Sequence, residues 1–145
     1  MHIALGADHA GFNLKDSLKR TLDDLGVTYR DFGTSSAESV DYPDFAQAVA
    51  QAVANGQCDR GILVCGTGVG MAIAANKVPG VRSAAIVDPD TVKLAREHND
   101  LNVLTLGARV TPEVRAREIV KVFLETAFEG GRHANRVGKI HAIER

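Results

Sequence analysis

Apolar residues gather in five short runs along the chain, and between these runs they recur at three- and four-residue spacing. The first run, residues 2–6, predicts a strand, and residues 12–25 carry the helical period until Gly26 ends it. Residues 27–32 predict a second strand. The polar stretch 33–39 is a turn-forming loop, and Asp41-Tyr42-Pro43-Asp44 starts a helix with proline in its first turn that runs to Ala54. Gly61-Ile62-Leu63-Val64-Cys65 is apolar, rich in branched residues and bounded by glycines, so it predicts a buried central strand, followed by an alanine-rich helix packed closely on it. A fourth strand is expected over 82–87. A short helix over 89–97 should stop at His98-Asn99-Asp100, and a fifth strand over 103–107 leads to Thr111-Pro112-Glu113, a cap and first turn for a helix reaching about residue 127.

Five strand-and-helix alternations with glycine corners predict one α/β domain over 1–145, a doubly wound parallel sheet with helices on both faces and right-handed crossovers. The order of the strands is not encoded in the pattern. A C-terminal helical tail, about 128–145, carries Val137, Ile140 and Ile143 as an apolar edge, and its expected seat is a partner subunit.

Composition narrows the function classes. A net charge of −1 and the absence of a long basic run give no footprint for nucleic acid or an anionic membrane. No apolar stretch approaches a membrane span, and no signal core precedes the first strand, so a cytoplasmic location is expected. Cys58 and Cys65 are too few for a disulfide framework and lack the spacing of a zinc site or a redox pair, so both read as reduced thiols.

The corner after the central strand is the strongest chemical signal. Cys65-Gly66-Thr67-Gly68-Val69-Gly70 puts a thiol at the carboxyl end of a parallel strand, where such sheets place ligands, beside loop amides and a helix start that favour an anion. The same field favours thiolate over thiol, so Cys65 reads as a base or a nucleophile, or else as a small core residue. The glycine spacing matches neither the dinucleotide fingerprint nor a P-loop. A phosphatase loop would need arginine at the position of Met71.

Other candidates sit at corners of the same kind. Asp8 and His9 follow the first strand, and Arg109 follows the fifth. Asp8 would alternatively only cap the next helix. His98 lies at a helix carboxyl end, where its cation is favoured, and is read as a proton donor or a solvated helix end. Arg132 and Arg136 are one helical turn apart and suited to gripping a phosphate from one face, or are simply surface charges.

Gly6-Ala7-Asp8-His9-Ala10-Gly11, Asp41-Tyr42-Pro43-Asp44, the Cys65–Gly70 corner, Ala74-Ala75-Asn76-Lys77, Arg96-Glu97-His98-Asn99-Asp100 and Gly130-Gly131-Arg132-His133 together resemble the type B ribose-5-phosphate isomerases. That family also holds the galactose-6-phosphate isomerase subunits. The resemblance implies a Rossmann-like five-stranded sheet, no metal or other cofactor, and an active site shared between the subunits of a homodimer, alone or paired into a tetramer. It implies Cys65 as the base moving a proton between C1 and C2, and His98 as the acid opening the furanose ring. Asp8, His9, Gly66, Thr67, Gly68, Val69, Gly70, Asn99, Arg109, Arg132 and Arg136 would bind substrate, with the arginines and His9 as the phosphate candidates and His98, Asn99 and Arg109 supplied by the neighbouring subunit. One branch of the family has a glutamate base at the position of Met71, which leaves the work to Cys65 here.

The residues taken by themselves agree with that chemistry. Aldose–ketose isomerisation needs a base for a carbon-bound proton, donors for an enediolate and an anchor for the phosphate. A free cysteine with a pKa of about 8.5 is only a few per cent thiolate at neutral pH, so the loop must lower it or a neighbour must take its proton. Interconversion of ribose 5-phosphate and ribulose 5-phosphate is the expectation. A hexose 6-phosphate such as galactose or allose 6-phosphate, and a non-catalytic phosphosugar-binding module, are the rivals.

Overall fold

Buried strands of a parallel sheet are covered on both faces, and their sequences are therefore continuously apolar rather than alternating. In the computed structural model, which describes residues 1–144, five strands form one sheet, three of them of this buried kind: β1 (His2–Ala7), β3 (Arg60–Cys65) and β5 (Val103–Gly107), with the more open β2 (Thr28–Asp31) and β4 (Ser83–Ala85) beside them. They are all parallel, in the order β2-β1-β3-β5-β4. Between and after them lie α1 (Phe12–Asp24), α2 (Tyr42–Ala54), α3 (Val69–Ala75), α4 (Pro89–Asn99), α5 (Glu113–Glu125) and α6 (Arg132–His141). No helix among the described residues is long and apolar enough to cross a membrane.

Alternation along the strands divides the core in two. Ile62 and Val64 of β3 join Leu14, Leu18 and Leu22 of α1 and Ile119, Val120 and Phe123 of α5 on one face. Leu63 and Cys65 face Ala46, Val49 and Val53 of α2 and Met71 and Ala75 of α3 on the other. The chain leaves β1 in one direction to β2 and in the other to β3, so the strand order reverses at the β1–β3 pair, and this is where an open α/β sheet has its ligand crevice. Register completes the placement: Ala7 pairs with Val64 and Cys65 with Gly107, so the corners after β1, β3 and β5 end side by side.

Three predicted boundaries move, each for a local reason. The fourth strand starts only at Ser83, because the Arg82 amide bonds the Asn102 side chain instead of the ladder, and it ends at Ala85, one bond short of the Ile86 amide on the Thr105 carbonyl. The helix expected to stop before His98 runs on to Asn99 and ends at Asp100, which adopts a left-handed conformation (φ 50°) and whose carboxylate takes Nη1 of Arg96 at 2.9 Å. Thr111 does not cap the fifth helix: its hydroxyl is buried without a partner, and Pro112 is the capping residue. The tail expected over about 128–145 becomes α6 and a short end that dock on their own chain, through α4 and through a bond from the Gly80 amide to Glu144. Ile140 and Ile143 remain exposed, and Arg145 lies outside the described residues.

Candidate active site

The carboxyl edge of the sheet is assembled mainly from backbone. Cys65 is 5% exposed, and its Sγ accepts a hydrogen bond from the Gly68 amide at 3.1 Å. That amide can turn back onto the sulfur because Gly68 has φ 81°, a conformation costly for any residue with a Cβ. The Gly68 carbonyl is in turn fixed by the Thr105 hydroxyl at 2.7 Å. Thr67 Oγ1 accepts from the Val69 amide at 3.3 Å, which folds the loop on itself. The Arg109 guanidinium lies over Gly66, where a Cβ would stand 3.1 Å from Nη1, and the Tyr42 ring lies over Gly70, where a Cβ would stand 2.6 Å from Cε1 and Cζ. Met71 points away into the core and is fully buried.

Asp8 and His9 border the same crevice from β1. Asp8 is buried and takes the Gly11 amide on Oδ1 at 3.0 Å, so it does serve the start of α1 while standing beside the Cys65 corner through its own amide, which bonds the Val64 carbonyl at 3.2 Å. The Val40 amide donates to His9 Nδ1 at 3.1 Å, and this assigns the ring hydrogen to Nε2, a donor left free for a ligand. Beneath them lies a brace. Lys15, a fully buried lysine, gives Nζ to both oxygens of Asp31 at 2.7 and 2.8 Å and to the Thr34 carbonyl at 2.5 Å. Gly33 and Thr34 then bond Ala7 at the end of β1, each at 2.8 Å. Burial pushes the Asp31 carboxyl up, but the bonds from Lys15, Lys19 and the Gly33 amide outweigh it and hold it below the usual carboxylate range.

The amino edge carries a second cluster made of side chains. A crossover helix runs antiparallel to its strands, so α4 starts past the carboxyl end of β4 and ends beside the start of β5. His98 and Asn99 in its last turn are therefore at the opposite edge of the sheet from Cys65. Arg96 secures this end from within: it is 3% exposed and bonds Asp100, the Leu101 carbonyl at 2.6 Å and the Thr126 carbonyl at 3.0 Å. The Glu129 amide then bonds the Glu97 carbonyl at 3.1 Å, which lays the start of α6 against α4. The rings of His98 and His133 stack, with centroids 4.2 Å apart and planes 11° from parallel. Arg132 and Arg136 flank His133 and are exposed. Burial pushes the His133 ring down in pKa, reinforced by His98 and Arg132 and opposed by Glu129.

Nitrogen and oxygen atoms of His98, Glu129 and His133 lie within 4.8 Å of one another, the one three-ligand cluster of this type among the described residues. An imidazole binds a metal in its own ring plane, and these two planes are nearly parallel and stacked, so a single ion cannot meet both rings as they stand. The cluster is a stack rather than a preformed metal centre.

The candidates from the sequence thus fall into two groups. Asp8, His9, Cys65, the Gly66–Gly70 loop and Arg109 meet at one edge; His98, Asn99, Arg132 and Arg136 meet at the other. Arg109, expected from a neighbour together with His98, lies in this chain on the Cys65 loop: its amide bonds the Gly66 carbonyl at 3.0 Å, and its guanidinium covers Gly66. Three participants were not assigned from the sequence. Tyr42 enters the sequence only as part of the Asp41–Asp44 helix start, Glu129 carries no sequence signal, and for His133 the signal is the Gly130–His133 motif.

Residues 3–140 match the family described as ribose/galactose isomerase. The ribose-5-phosphate isomerase B of Escherichia coli (strain K12) is 50% identical, covering 98% of this chain and 95% of that one. The solved structure of the Clostridium thermocellum ribose-5-phosphate isomerase B superposes with a TM-score of 0.97 at 52% identity, covering 99% and 97% of the two chains. That of the Mycoplasma genitalium ribose-5-phosphate isomerase B, with bound ribulose-5-phosphate, superposes with a TM-score of 0.92 at 43% identity, covering 97% and 94%.

Proposed function

The chain belongs to the ribose/galactose isomerase family, and from that premise we propose that it interconverts ribose 5-phosphate and ribulose 5-phosphate through an enediolate, in a site that two copies of the chain complete together. The observation that carries this reading is the separation of the two half-sites. Each chain holds a thiol with its glycine loop at one edge of the sheet and a histidine with two arginines at the other, and a second copy turned about a two-fold axis brings the missing half to each. Val69 and Ile73 beside the loop, and Ile140 and Ile143 on the tail, are apolar and exposed, as surfaces that such a copy covers would be.

In this mechanism His98 of one copy protonates the ring oxygen of the furanose as its bond to C1 breaks, and the C1 hydroxyl gives its proton to water as the C1 carbonyl forms. Cys65 of the other copy removes the C2 proton as thiolate. The C2–H electron pair forms the C1–C2 double bond, the carbonyl pair moves to O1, and the amides of Gly66–Gly70 face the resulting negative charge. The C2 hydroxyl proton then passes to O1, the O2 electron pair forms the C2 carbonyl, and the C1–C2 pair takes the proton back from Cys65 at C1, which gives the ketose. The thiolate is favoured by the Gly68 amide on Sγ, and the phosphate is held by Arg132 and Arg136, with Asn99, Arg109, Asp8 and the Nε2–H of His9 orienting the sugar. The drawn steps use side chains and amides alone.

Complementation tests it. Cys65→Ala and His98→Asn variants, each inactive alone, are co-refolded in equal amounts; random pairing leaves one intact site in each mixed dimer, so about a quarter of parental turnover returns. A mixture that stays inactive while mixed dimers form overturns the shared site.

A further inference from the structure

We propose that His133 is the positioning residue for the ring-opening acid, its buried ring serving as a platform that fixes the plane of His98. The inference rests on the assignment of His98 as that acid. Among the described residues the ring nitrogens of His98 make no hydrogen bond within the chain, so nothing polar orients the ring before substrate arrives. The terminal torsion of a histidine is broad when unconstrained, and a general acid that must meet one ring oxygen loses rate with each misaligned rotamer. The stack removes that freedom. His133 is 7% exposed whereas His98 is partly open, so one ring is held by the fold and the other, stacked on it, is accessible.

The geometry of the platform is set by backbone rather than by chance contact. The Glu129-to-Glu97 bond and the first turn of α6 place His133 over the last turn of α4, and Glu129 Oε2 approaches His133 Nε2 at 3.5 Å. The charged groups around the pair are Glu129, Arg132 and Arg136, all from the α6 side. Burial and these cations push the His133 ring down in pKa.

The test separates ring opening from proton transfer at carbon. Ribulose 5-phosphate has its 5-hydroxyl esterified and stays open-chain, so exchange of its C1 hydrogen with deuterated solvent, followed by NMR, reports the Cys65 step without ring opening. His133→Ala is expected to lower kcat on ribose 5-phosphate by about 10- to 100-fold, with KM changed less than about twofold and C1 exchange unaltered. His133→Phe, which keeps a flat ring without titrating, should return kcat to within about threefold of the parent. The proposal is overturned if His133→Ala reduces exchange and turnover equally, if it raises KM alone, or if His133→Phe melts like the parent yet remains slow. Failure of the underlying reading looks different: the parent then shows no C1 exchange, or His98→Asn turns over ribose 5-phosphate normally.

Discussion

At the carboxyl edge, Cys65 is held by an amide, a left-handed glycine and a threonine hydroxyl that fixes a carbonyl; at the amino edge, His98 is held by a stacked ring, on a helix end that Arg96 ties to the Leu101 and Thr126 carbonyls. The first edge is close-packed main chain, with no room for a Cβ at Gly70 or Gly107. The second is made of long side chains on helices whose own backbones have room. A group that must receive a developing charge at fixed distance is served by the stiffer material, whereas a proton donor that must approach a substrate from another molecule tolerates a more adjustable mount.

Three substitutions probe the contrast. The largest effect is expected at the brace below Asp8 and His9: Asp31→Ala leaves the buried Lys15 ammonium with only the Thr34 carbonyl, and should cost about 3–4 kcal/mol in denaturant unfolding. Titration of the parent gives the same pair a sign. The Asp31 carboxyl is depressed in the fold, so its stabilisation is fully present above the ordinary carboxyl value of about 4 and fades as pH falls through the lower folded value. Melting curves in acid should show that loss in the parent and lack it in Asp31→Ala.

Next comes Gly107→Ala. Its Cβ would stand 2.6 Å from C and Cα of Thr67, both main chain, so the glycine loop itself must shift. A loss of about 2–3 kcal/mol, or roughly 4–12 °C in melting temperature, is expected, together with reduced turnover. The smallest effect has the opposite sign. Gly138 lies inside α6 with nothing within 4 Å of a Cβ, so Gly138→Ala should raise stability by about 0.5–1 kcal/mol in the same unfolding assay. Equal costs at Gly107 and Gly138 would erase the distinction between the edges.

How much of this could be read from the chain follows from where the information lies. The strands through Leu5, Leu63 and Leu104 are continuous apolar runs with glycine corners, so the sheet, its parallel sense and the placement of Cys65 at a carboxyl end were legible. Strand order was not, since β3 carries no mark that it pairs with β5 rather than β4. The motifs named the participants of the site but not their grouping. Arg132 and Arg136 follow the last strand, where no crossover dictates direction, and only the docking of Glu129 on Glu97 sends them to the edge of His98. His133 lies beside exposed arginines in a polar segment, and its burial is a tertiary fact that hydropathy could not carry.

The antiparallel run of α4 has one further consequence. Because it carries His98 away from the thiol of its own chain, a folded but solitary molecule holds two unmatched halves and, on the proposed reading, is inert. Specific activity then obeys mass action: it falls on dilution below the dissociation constant of the pair and saturates above it, so the cell's supply of this catalyst scales with the square of chain concentration when chains are scarce.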